Sequence, residues 1–330
     1  MTLTDSRKFL GCSFGLSISA PPAADPSWPG YYGEPAAVID QFVFTEGMNF
    51  LFEGGRLVLG HRWHDGSGNW DDRSVLNYLV EKSRDFRSFR PATPAPDTGE
   101  IPAAILNFLA WPDAPPTAAV PEAQRLVAEG ILSIQQILPP GIDPALLANP
   151  PPPLQQYARI CALTAMRQRL VAETDFRICI GGAFGKDERR LPGIIEEALL
   201  TCAAGKPLYV SDAFGGASKA LAECLLQRRV KFGEEESFYT PPATAALMAA
   251  HAQAHPWPTD IEGPSTPNGW NAFTWFQSQP LEGIATRAGL TLEQYCQVLA
   301  ARDVESAMGW ILVGIQNLIA AKNSSLVHLL

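Results

Sequence analysis

The sequence predicts an α/β protein in which a mostly parallel sheet is flanked by helices and followed by a C-terminal helical extension. Over the first 230 residues, short apolar stretches typical of buried strands alternate with stretches whose apolar residues recur at helical spacing. Three of the five predicted strands end in glycine or other small residues, and residues 231–330 show no strand pattern. We therefore expect residues 1–230 to form a ligand-binding domain with right-handed crossovers, and residues 231–330 to pack on that same domain.

The opening part of the chain contains two of these strands. The stretch KFLGCSFGLSISAPP predicts a strand whose small exit residues let a ligand approach the backbone. Helical spacing predicts a helix over Val38–Phe52 that stops at Gly54–Gly55, and RLVLGH follows as the second strand. A polar loop then leads into a helix near Val75–Lys82.

The middle of the chain continues the alternation. AAILNFLAW predicts a third strand that is buried on both faces. The spacing of apolar residues predicts a helix over Pro121–Leu138 and, after a proline-rich interruption, a long helix over Leu154–Ala172. FRICIGG predicts the fourth strand, and a helix with proline in its first turn is expected over Pro192–Ala204.

The remaining pattern gives one more strand and then only helices and loops. KPLYVSDAFGG predicts a fifth strand that ends at its two glycines, with a helix over Ala217–Gln227 behind it. TPPATAALMAAHAQA predicts a helix, and HPWPTDIEGPSTPNGWNAFTWF an aromatic-rich loop. TLEQYCQVLAARDVESAMGWILVGIQNLIAAK predicts two helices.

Composition excludes several classes of function. The formal net charge of −9 argues against an open nucleic-acid surface, because such surfaces need clustered Lys and Arg. The six cysteines form no Cys-x-x-Cys pair, which indicates buried thiols in a reducing compartment. The polar start lacks a signal core, and no apolar run reaches the roughly 18 residues that span a bilayer. We expect a cytoplasmic protein that does not enter a membrane.

One turn combines the features of an anion site. Gly181–Gly182 follows a predicted strand, and LPGIIEE opens a helix whose free N–H groups and dipole attract anions. Lys186, Arg189 and Arg190 add positive charge to the loop between them. The combination suits a phosphate or a phosphoribosyl group. Neither the P-loop pattern nor Gly-x-Gly-x-x-Gly follows a predicted strand, so the ligand is held in another way.

At this point the chain resembles a known family. Leu163–Leu221, LTAMRQRLVAETDFRICIGGAFGKDERRLPGIIEEALLTCAAGKPLYVSDAFGGASKAL, is similar to the SLOG superfamily. That Rossmann-like group contains the lonely-guy phosphoribohydrolases and the nucleotide-sensor domains of bacterial antiphage systems. The order of a Met-Arg helix, Gly-Gly, Pro-Gly-x-x-Glu-Glu and Phe-Gly-Gly resembles the sensor branch. The resemblance implies a Rossmann-like sheet that binds a nucleotide-derived ligand.

The phrases of the hydrolase branch are incomplete here. Its helix carries Met-His-x-Arg-Lys, whereas this chain has Met166 and Arg169 but Arg167 in place of His and Leu170 in place of Lys. Its Pro-Gly-Gly-x-Gly-Thr-x-x-Glu phrase begins here with Ile180-Gly181-Gly182 and resumes at Pro192-Gly193 only after a charged insertion. By this resemblance, hydrolysis is in doubt.

Two glutamates and two arginines carry the expected chemistry. Glu196 or Glu197 matches the catalytic Glu of the hydrolases and would otherwise accept hydrogen bonds from ribose hydroxyls. Arg169 would pair with a phosphate in a forked geometry. The alternatives are that the glutamates form a solvated first helix turn and that Arg167 and Arg169 are surface charges.

The expected ligand contacts are Ser17, Ser19, His61, Arg167, Arg169, Gly181, Gly182, Arg190, Pro192, Gly193, Glu197, Phe214, Gly215 and Gly216. We expect no metal site. His61, His64 and Asp65 lie close together in GHRWHD, but the glycine-rich loop argues against a helix that would align them, and no further cluster completes a site. We interpret His61 as a strand-end residue that faces the ligand; the alternative is a loop histidine bonded to backbone.

Three functions remain open from the sequence. The resemblance favours a sensor of a cyclic ADP-ribose-type or cyclic-oligonucleotide signal in antiphage defence, with no other cofactor. No effector sequence is visible in this chain, so the output would come from a homo-oligomer or from an effector chain in trans. The alternatives are an N-glycosidase or phosphoribohydrolase that cleaves a nucleotide, and a non-catalytic structural subunit.

Overall fold

A computed structural model describes the protein over residues 8–19, 28, 33–71, 74–89, 103–117, 120–183, 192–227 and 270–327. Its centre is a six-stranded sheet in the order β4-β3-β2-β1-β5-β6, and every pair of neighbouring strands is parallel. The strands are β1 (Ser13–Ser19), β2 (Arg56–Leu59), β3 (Ile105–Ala110), β4 (Leu132–Ile137), β5 (Phe176–Gly181) and β6 (Leu208–Ser211).

Helices connect and cover these strands. Six of them lie among the strands: α1 (Pro35–Phe52), α2 (Val75–Phe89), α3 (Pro121–Ala128), α4 (Pro152–Ala172), α5 (Gly193–Ala203) and α6 (Gly216–Leu225). Four more form the described part of the C-terminal region: α7 (Trp270–Ser278), α8 (Leu281–Arg287), α9 (Leu292–Leu299) and α10 (Val304–Val327). The predicted α/β class, with a parallel Rossmann-like sheet and a C-terminal helical region, is confirmed.

The order of the strands reverses next to β1. From β1 the chain adds β2, β3 and β4 on one side, then α4 carries it back across the sheet to β5 and β6 on the other side. Loops that leave the carboxyl ends of β1 and β5 therefore diverge, and this divergence opens a crevice. In open parallel sheets, ligands commonly bind at such a crevice.

Two apolar cores hold the sheet. Alternate residues of β2 face opposite ways: Leu57 and Leu59 lie in a large core with α1, α2 and α3, while Val58 lies in a second core with α4. β3 and β5 are buried along their whole length, as parallel strands covered on both faces must be. Within the large core, Phe14 of β1 stacks on Phe50 of α1 with ring centroids 4.1 Å apart.

The sequence prediction missed one strand. Pro121–Leu138 was expected to be one helix, but α3 ends at Ala128, Gly130 adopts a positive φ of 67°, and β4 follows. The sheet therefore has six strands where the sequence predicted five. Glycine reverses the chain here at little steric cost, which ends the helix and starts the strand.

Other boundaries also differ from expectation. β6 ends at Ser211, so the strand does not reach the two glycines that follow. Trp270–Ser278 is helical although a loop was predicted there, and α8 was not expected. The predicted division of the last segment into two helices is confirmed by α9 and α10. The helix predicted for TPPATAALMAAHAQA lies outside the described residues.

The C-terminal helices attach to the β6 edge of the sheet. The hydroxyl of Tyr295 on α9 donates to the carbonyl of Leu208 at 2.8 Å, and that of Tyr209 on β6 donates to the carbonyl of Ala288 at 2.8 Å. Both tyrosines are fully buried. The helices thus cover this edge through apolar contact and through hydrogen bonds from tyrosine side chains to main-chain carbonyls.

One C-terminal segment has the length and hydropathy of a membrane span. Contrary to the sequence expectation, Val304–Lys322 within α10 is apolar enough by composition, with a mean hydropathy of 1.3. One third of that window is buried in the protein, where Ile311 and Ile315 belong to the large core. A core helix of a soluble protein passes the same test, so this feature alone is weak evidence for a membrane.

Candidate functional site

A cavity of about 170 Å³ opens at the carboxyl ends of β1, β2 and β5. Ser17 and Ser19 of β1, His61 after β2 and Gly182 after β5 form its sheet side. Gly193 and the first turn of α5 form part of the opposite wall. The cavity therefore lies at the point where the strand order reverses, which is where ligands bind in open parallel sheets.

Asn107 fixes the backbone of His61 at the mouth of β2. The side-chain amide of Asn107 accepts from the His61 N–H at 2.9 Å and donates to the His61 carbonyl at 2.8 Å. Asn107 is completely buried on β3, so this double contact sets where the chain leaves β2. Burial lowers the pKa of His61, against the opposing charges of Glu197 and Asp40. We therefore expect a neutral imidazole at the cavity at physiological pH.

A buried arginine holds the floor of the cavity. Arg177, on β5, is 1% exposed and extends over Gly15 of β1 to reach Ser17 and Glu197. Its Nη1 donates to Ser17 Oγ at 2.8 Å and to Glu197 Oε2 at 2.7 Å. Ser17 Oγ donates to the same carboxylate oxygen of Glu197. Glu197 Oε2 thus accepts two hydrogen bonds from beneath the cavity.

A second buried arginine lies beside the first. Arg167 of α4 donates through Nη1 to Glu196 Oε2, and Thr164 Oγ1 donates to Glu196 Oε1 at 2.5 Å. Arg167 Nε also lies 3.8 Å from Glu197 Oε1. Both oxygens of Glu196 are therefore occupied, and this side chain is 3% exposed. The Glu-Glu pair of the sequence motif divides into one enclosed carboxylate and one that reaches the cavity.

The start of α5 lines the cavity, and the N–H groups of Gly193, Ile194 and Ile195 make no hydrogen bond to the described residues. The helix begins at Gly193 after Pro192 without a side-chain cap, and the N–H groups of its first turn have no acceptor within the helix. A Cβ at Gly193 would lie 2.9 Å from Arg167 Nη2, so a larger residue here would displace this guanidinium. Within the described part of the chain, the buried Nε atoms of Arg167 and Arg177 have no hydrogen-bond partner.

Two glycine pairs form one tightly packed turn. Gly181 and Gly182 have φ angles of 74° and 91°, a region that side chains avoid. The Ala217 N–H at the start of α6 donates to the Gly182 carbonyl at 2.9 Å, and a Cβ on Gly216 would collide with that same carbonyl. The glycines that were predicted as ligand contacts therefore also hold α6 against β5.

The structure brings many of the predicted residues to one place. Those that line the cavity are Ser17, Ser19, His61, Arg167, Gly182, Gly193 and Glu197. Gly181, Pro192, Gly215 and Gly216 belong to the turns behind this lining. Arg190, with the rest of the charged loop at 184–191, lies outside the described residues.

Three predicted contacts have other surroundings. Arg169 is half exposed and pairs with Glu173 at 2.9 Å on the surface of α4. Phe214 is fully buried and packs against Trp28 and Phe42, so its ring belongs to the core. Glu196 is bonded as described above and does not line the cavity. Of the two arginines considered on α4, Arg167 is therefore the one at the cavity.

The polar residues of the loop after β2, which contains His61 and His64, make turn and side-chain contacts within the protein. Asp65 Oδ1 accepts from the N–H groups of Ser67 and Asn69, which closes a turn, and His64 Nε2 lies 4.0 Å from Asp113. In the part of the chain that the structure describes, no three His, Cys, Asp or Glu side chains are grouped to hold a metal. Burial raises the pKa of Cys179, which pairs with Ser17 across β5 and β1, to about 12, so this residue remains a thiol.

Sequence reasoning missed Arg177 and Asn107. Each is a polar residue inside a strand that is otherwise apolar, FRICIGG and AAILNFLAW. A strand buried on both faces has no solvent for such a side chain, so it must find partners inside the protein. That mismatch was the signal that would have identified both.

Comparison with known families gives one match. The model of the family described as SLOG cluster2 matches residues 48–262, close to two thirds of the 330-residue chain. The match includes β2 to β6, the Gly-Gly turn and the first turn of α5. A search of curated proteins found no match.

Proposed function

The chain belongs to the SLOG superfamily, and from that premise we propose that its cavity binds the phosphoribosyl part of a nucleotide-derived signal molecule. Membership indicates nucleotide-related binding or processing. The finer proposal is a receptor for a cyclic ADP-ribose-type or cyclic-oligonucleotide messenger in antiphage defence. Its output would come from an oligomer or from a partner chain in the cytoplasm.

One observation carries the binding proposal. The uncapped start of α5 and the guanidinium of Arg167 lie next to each other in the cavity wall. They come this close because Gly193 has no side chain. A helix N-terminus and an arginine together favour a phosphate, because both direct N–H donors at it. The volume of about 170 Å³ is below the roughly 300 Å³ of a typical small-molecule pocket, so it suits one end of a ligand.

The glutamates favour binding over hydrolysis. Both oxygens of Glu196 are bonded inside the protein, which leaves this carboxylate no access to a sugar. Glu197 lines the cavity, directs Oε2 to Ser17 and Arg177, and has its Oε1 3.8 Å from Arg167 Nε. An ionised carboxylate in this position accepts hydrogen bonds from ribose hydroxyls.

The same position of Glu197 supports a second candidate function. A carboxylate beside an anomeric carbon stabilises the positive charge that develops when an N-glycosidic bond breaks. His61, neutral by its lowered pKa, lies across the cavity and would contact the leaving group or water. This candidate is an N-glycosidase acting on a nucleotide, with Glu197 as its essential carboxylate.

Binding and turnover are measured on the same samples. Calorimetry with NAD, ADP-ribose, cyclic ADP-ribose, cyclic dinucleotides and nucleoside monophosphates should give saturable heat with one of these probes. Chromatography of the mixtures should show no free base. A bound probe at 100 times its Kd should stabilise the fold by about 2.7 kcal/mol. Absence of any shift across the set contradicts the proposal, and base release that Glu197→Gln abolishes establishes the glycosidase instead.

A matched set of variants locates the bound probe. Gly193→Ala places a Cβ against Arg167 at the start of α5 and should weaken binding at least tenfold. Gly309→Ala, in an open part of α10, should leave the affinity unchanged. Arg169→Ala on the outer side of α4 should also leave it unchanged, because this arginine pairs with Glu173 at the surface.

A further inference from the structure

The two edge strands of the sheet, β6 and β4, differ in how far they are buried. At one edge every residue of β6 is buried and the helices α8 and α9 contribute the tyrosine contacts described above. At the other edge β4 is partly exposed from Ser133 to Ile137, although β3 beside it is wholly buried. In the described part of the chain, β4 pairs only with β3.

None of the described residues pairs with the outer backbone of β4. The carbonyls of Ile131 and Ile137 accept from β3, at 2.9 and 3.0 Å, so odd-numbered residues direct their polar groups inwards. Backbone alternation turns the N–H and C=O groups of Leu132, Ile134 and Gln136 to the outside. These outward groups form no hydrogen bond with the described residues. They provide a row of donors and acceptors at strand spacing.

This edge also lacks the usual protection against pairing. Solvent-facing edge strands normally carry a lysine, a proline or a bulge. The stretch ILSIQQIL, from Ile131 to Leu138, contains no charged residue and no proline. Beside it, Val127 at the end of α3 and Leu138 after the strand are exposed at 43% and 46%. The uncharged strand from Ile131 to Leu138 is here called the β4 edge; at the end of α3 beside it, Arg125 and Glu129 are exposed on either side of Val127.

We propose that the β4 edge pairs in antiparallel fashion with the β4 edge of a second copy of this chain. Outward residues then face one another across a two-fold axis at Gln135, with Leu132 opposite Leu138 and Ile134 opposite Gln136. About eight main-chain hydrogen bonds result, close to the ten or so of a standard interface. Two copies carry −9 each, so an uncharged strip is where they approach without bringing carboxylates together.

Gln135 provides the test because it is exposed and opposes its own copy in this register. Sedimentation velocity across the micromolar range should show a concentration-dependent dimer of the full chain. Gln135→Lys sets two ammonium groups face to face and should weaken the dimer about fivefold or more. Gln135→Glu should do the same. An equimolar mixture of the two variants should recover the dimer, because opposite charges then meet at the axis.

Further variants separate the edge from general charge and from folding. Gln316→Lys adds the same charge on an exposed position of α10 and should leave dimerisation unchanged. Ile134→Pro removes an outward N–H that the β3 ladder does not use, so it should yield a folded monomer by circular dichroism. A wild-type monomer throughout the range overturns the proposal. A dimer that Gln135→Lys and Ile134→Pro leave intact overturns it as well.

Discussion

The guanidinium of Arg177 donates to the carboxylate of Glu197 at 2.7 Å and thereby joins the middle strands of the sheet to α5. The two side chains are 1% and 14% exposed. Since Arg177 also donates to Ser17, one buried cation orients two polar groups on the floor of the cavity. The geometry of the candidate site thus depends on a residue that a ligand does not need to touch.

Removal of the Arg177 guanidinium should lower the free energy of unfolding substantially. Arg177→Ala leaves the Glu197 carboxylate without its charged donor in a largely desolvated site, and we expect a loss of about 3–5 kcal/mol in the free energy of unfolding. Urea denaturation measures it. Arg169→Ala breaks the exposed pair with Glu173 and should cost at most about 1 kcal/mol. Equal losses in the two variants would show that the Arg177 pair is not desolvated.

Gly15 is required by the path of Arg177 over β1. A Cβ at this position would lie 2.7 Å from Arg177 Cζ, so Gly15→Ala should displace the guanidinium and cost about 1–3 kcal/mol. Gly309→Ala is the control, since nothing lies within 4 Å of its Cβ and the position is helical. It should raise stability by about 0.5–1 kcal/mol. Thermal unfolding of both variants checks the predicted opposite signs.

Asn107 should matter for both stability and binding. Asn107→Ala leaves the N–H and carbonyl of His61 without partners at the cavity, which we expect to cost about 1–3 kcal/mol and to weaken nucleotide binding. Asn317→Ala loses one hydrogen bond to Gly289 on an exposed part of α10 and should cost about 0.5 kcal/mol. Paired denaturation and calorimetry test this. Unchanged binding in Asn107→Ala would argue against a ligand beside His61.

His61 should make stability depend on pH. In the unfolded chain histidine takes up its proton as pH falls through about 6.5, whereas burial lowers the pKa of the folded His61. The unfolded state binds more protons in that window, so the contribution of neutral His61 is present above about pH 6.5 and is lost as pH falls below it. Between pH 7.5 and 5, the wild type should therefore lose more unfolding free energy than His61→Gln. Parallel curves for the two proteins would contradict the lowered pKa.

The sequence predicted the central strands better than the edge. β3 and β5 are buried on both faces, so continuous apolar runs mark them clearly. β4 is half exposed, and its Ile134 and Ile137 are three residues apart, a spacing that also suits a helix. Gly130, which separates α3 from β4, was the overlooked boundary. Edge strands give an ambiguous sequence pattern because their side chains are partly exposed to solvent, so apolar and polar residues do not alternate strictly.

The candidate site was predicted in part for a similar reason. Glycine turns and a helix start are local patterns, so Gly182 and Gly193 could be assigned to one hollow from spacing alone. The pairing of Arg167 with Glu196 depends on how α4 packs against α5, and no local pattern records that packing. The same helix therefore offered Arg169 as an equally good choice, although it faces the other way.

The central place of β1 constrains how the chain is made. Phe14 of β1 pairs with Leu57 of β2 on one side and with Phe176 of β5 on the other. During synthesis β2 follows β1 closely, whereas β5 is made more than 150 residues later. Contacts so distant along the chain form slowly, because a large loop must close first. Until β5 is synthesised, a nascent chain presents one side of its own first strand to solvent, and we expect chaperones to bind there.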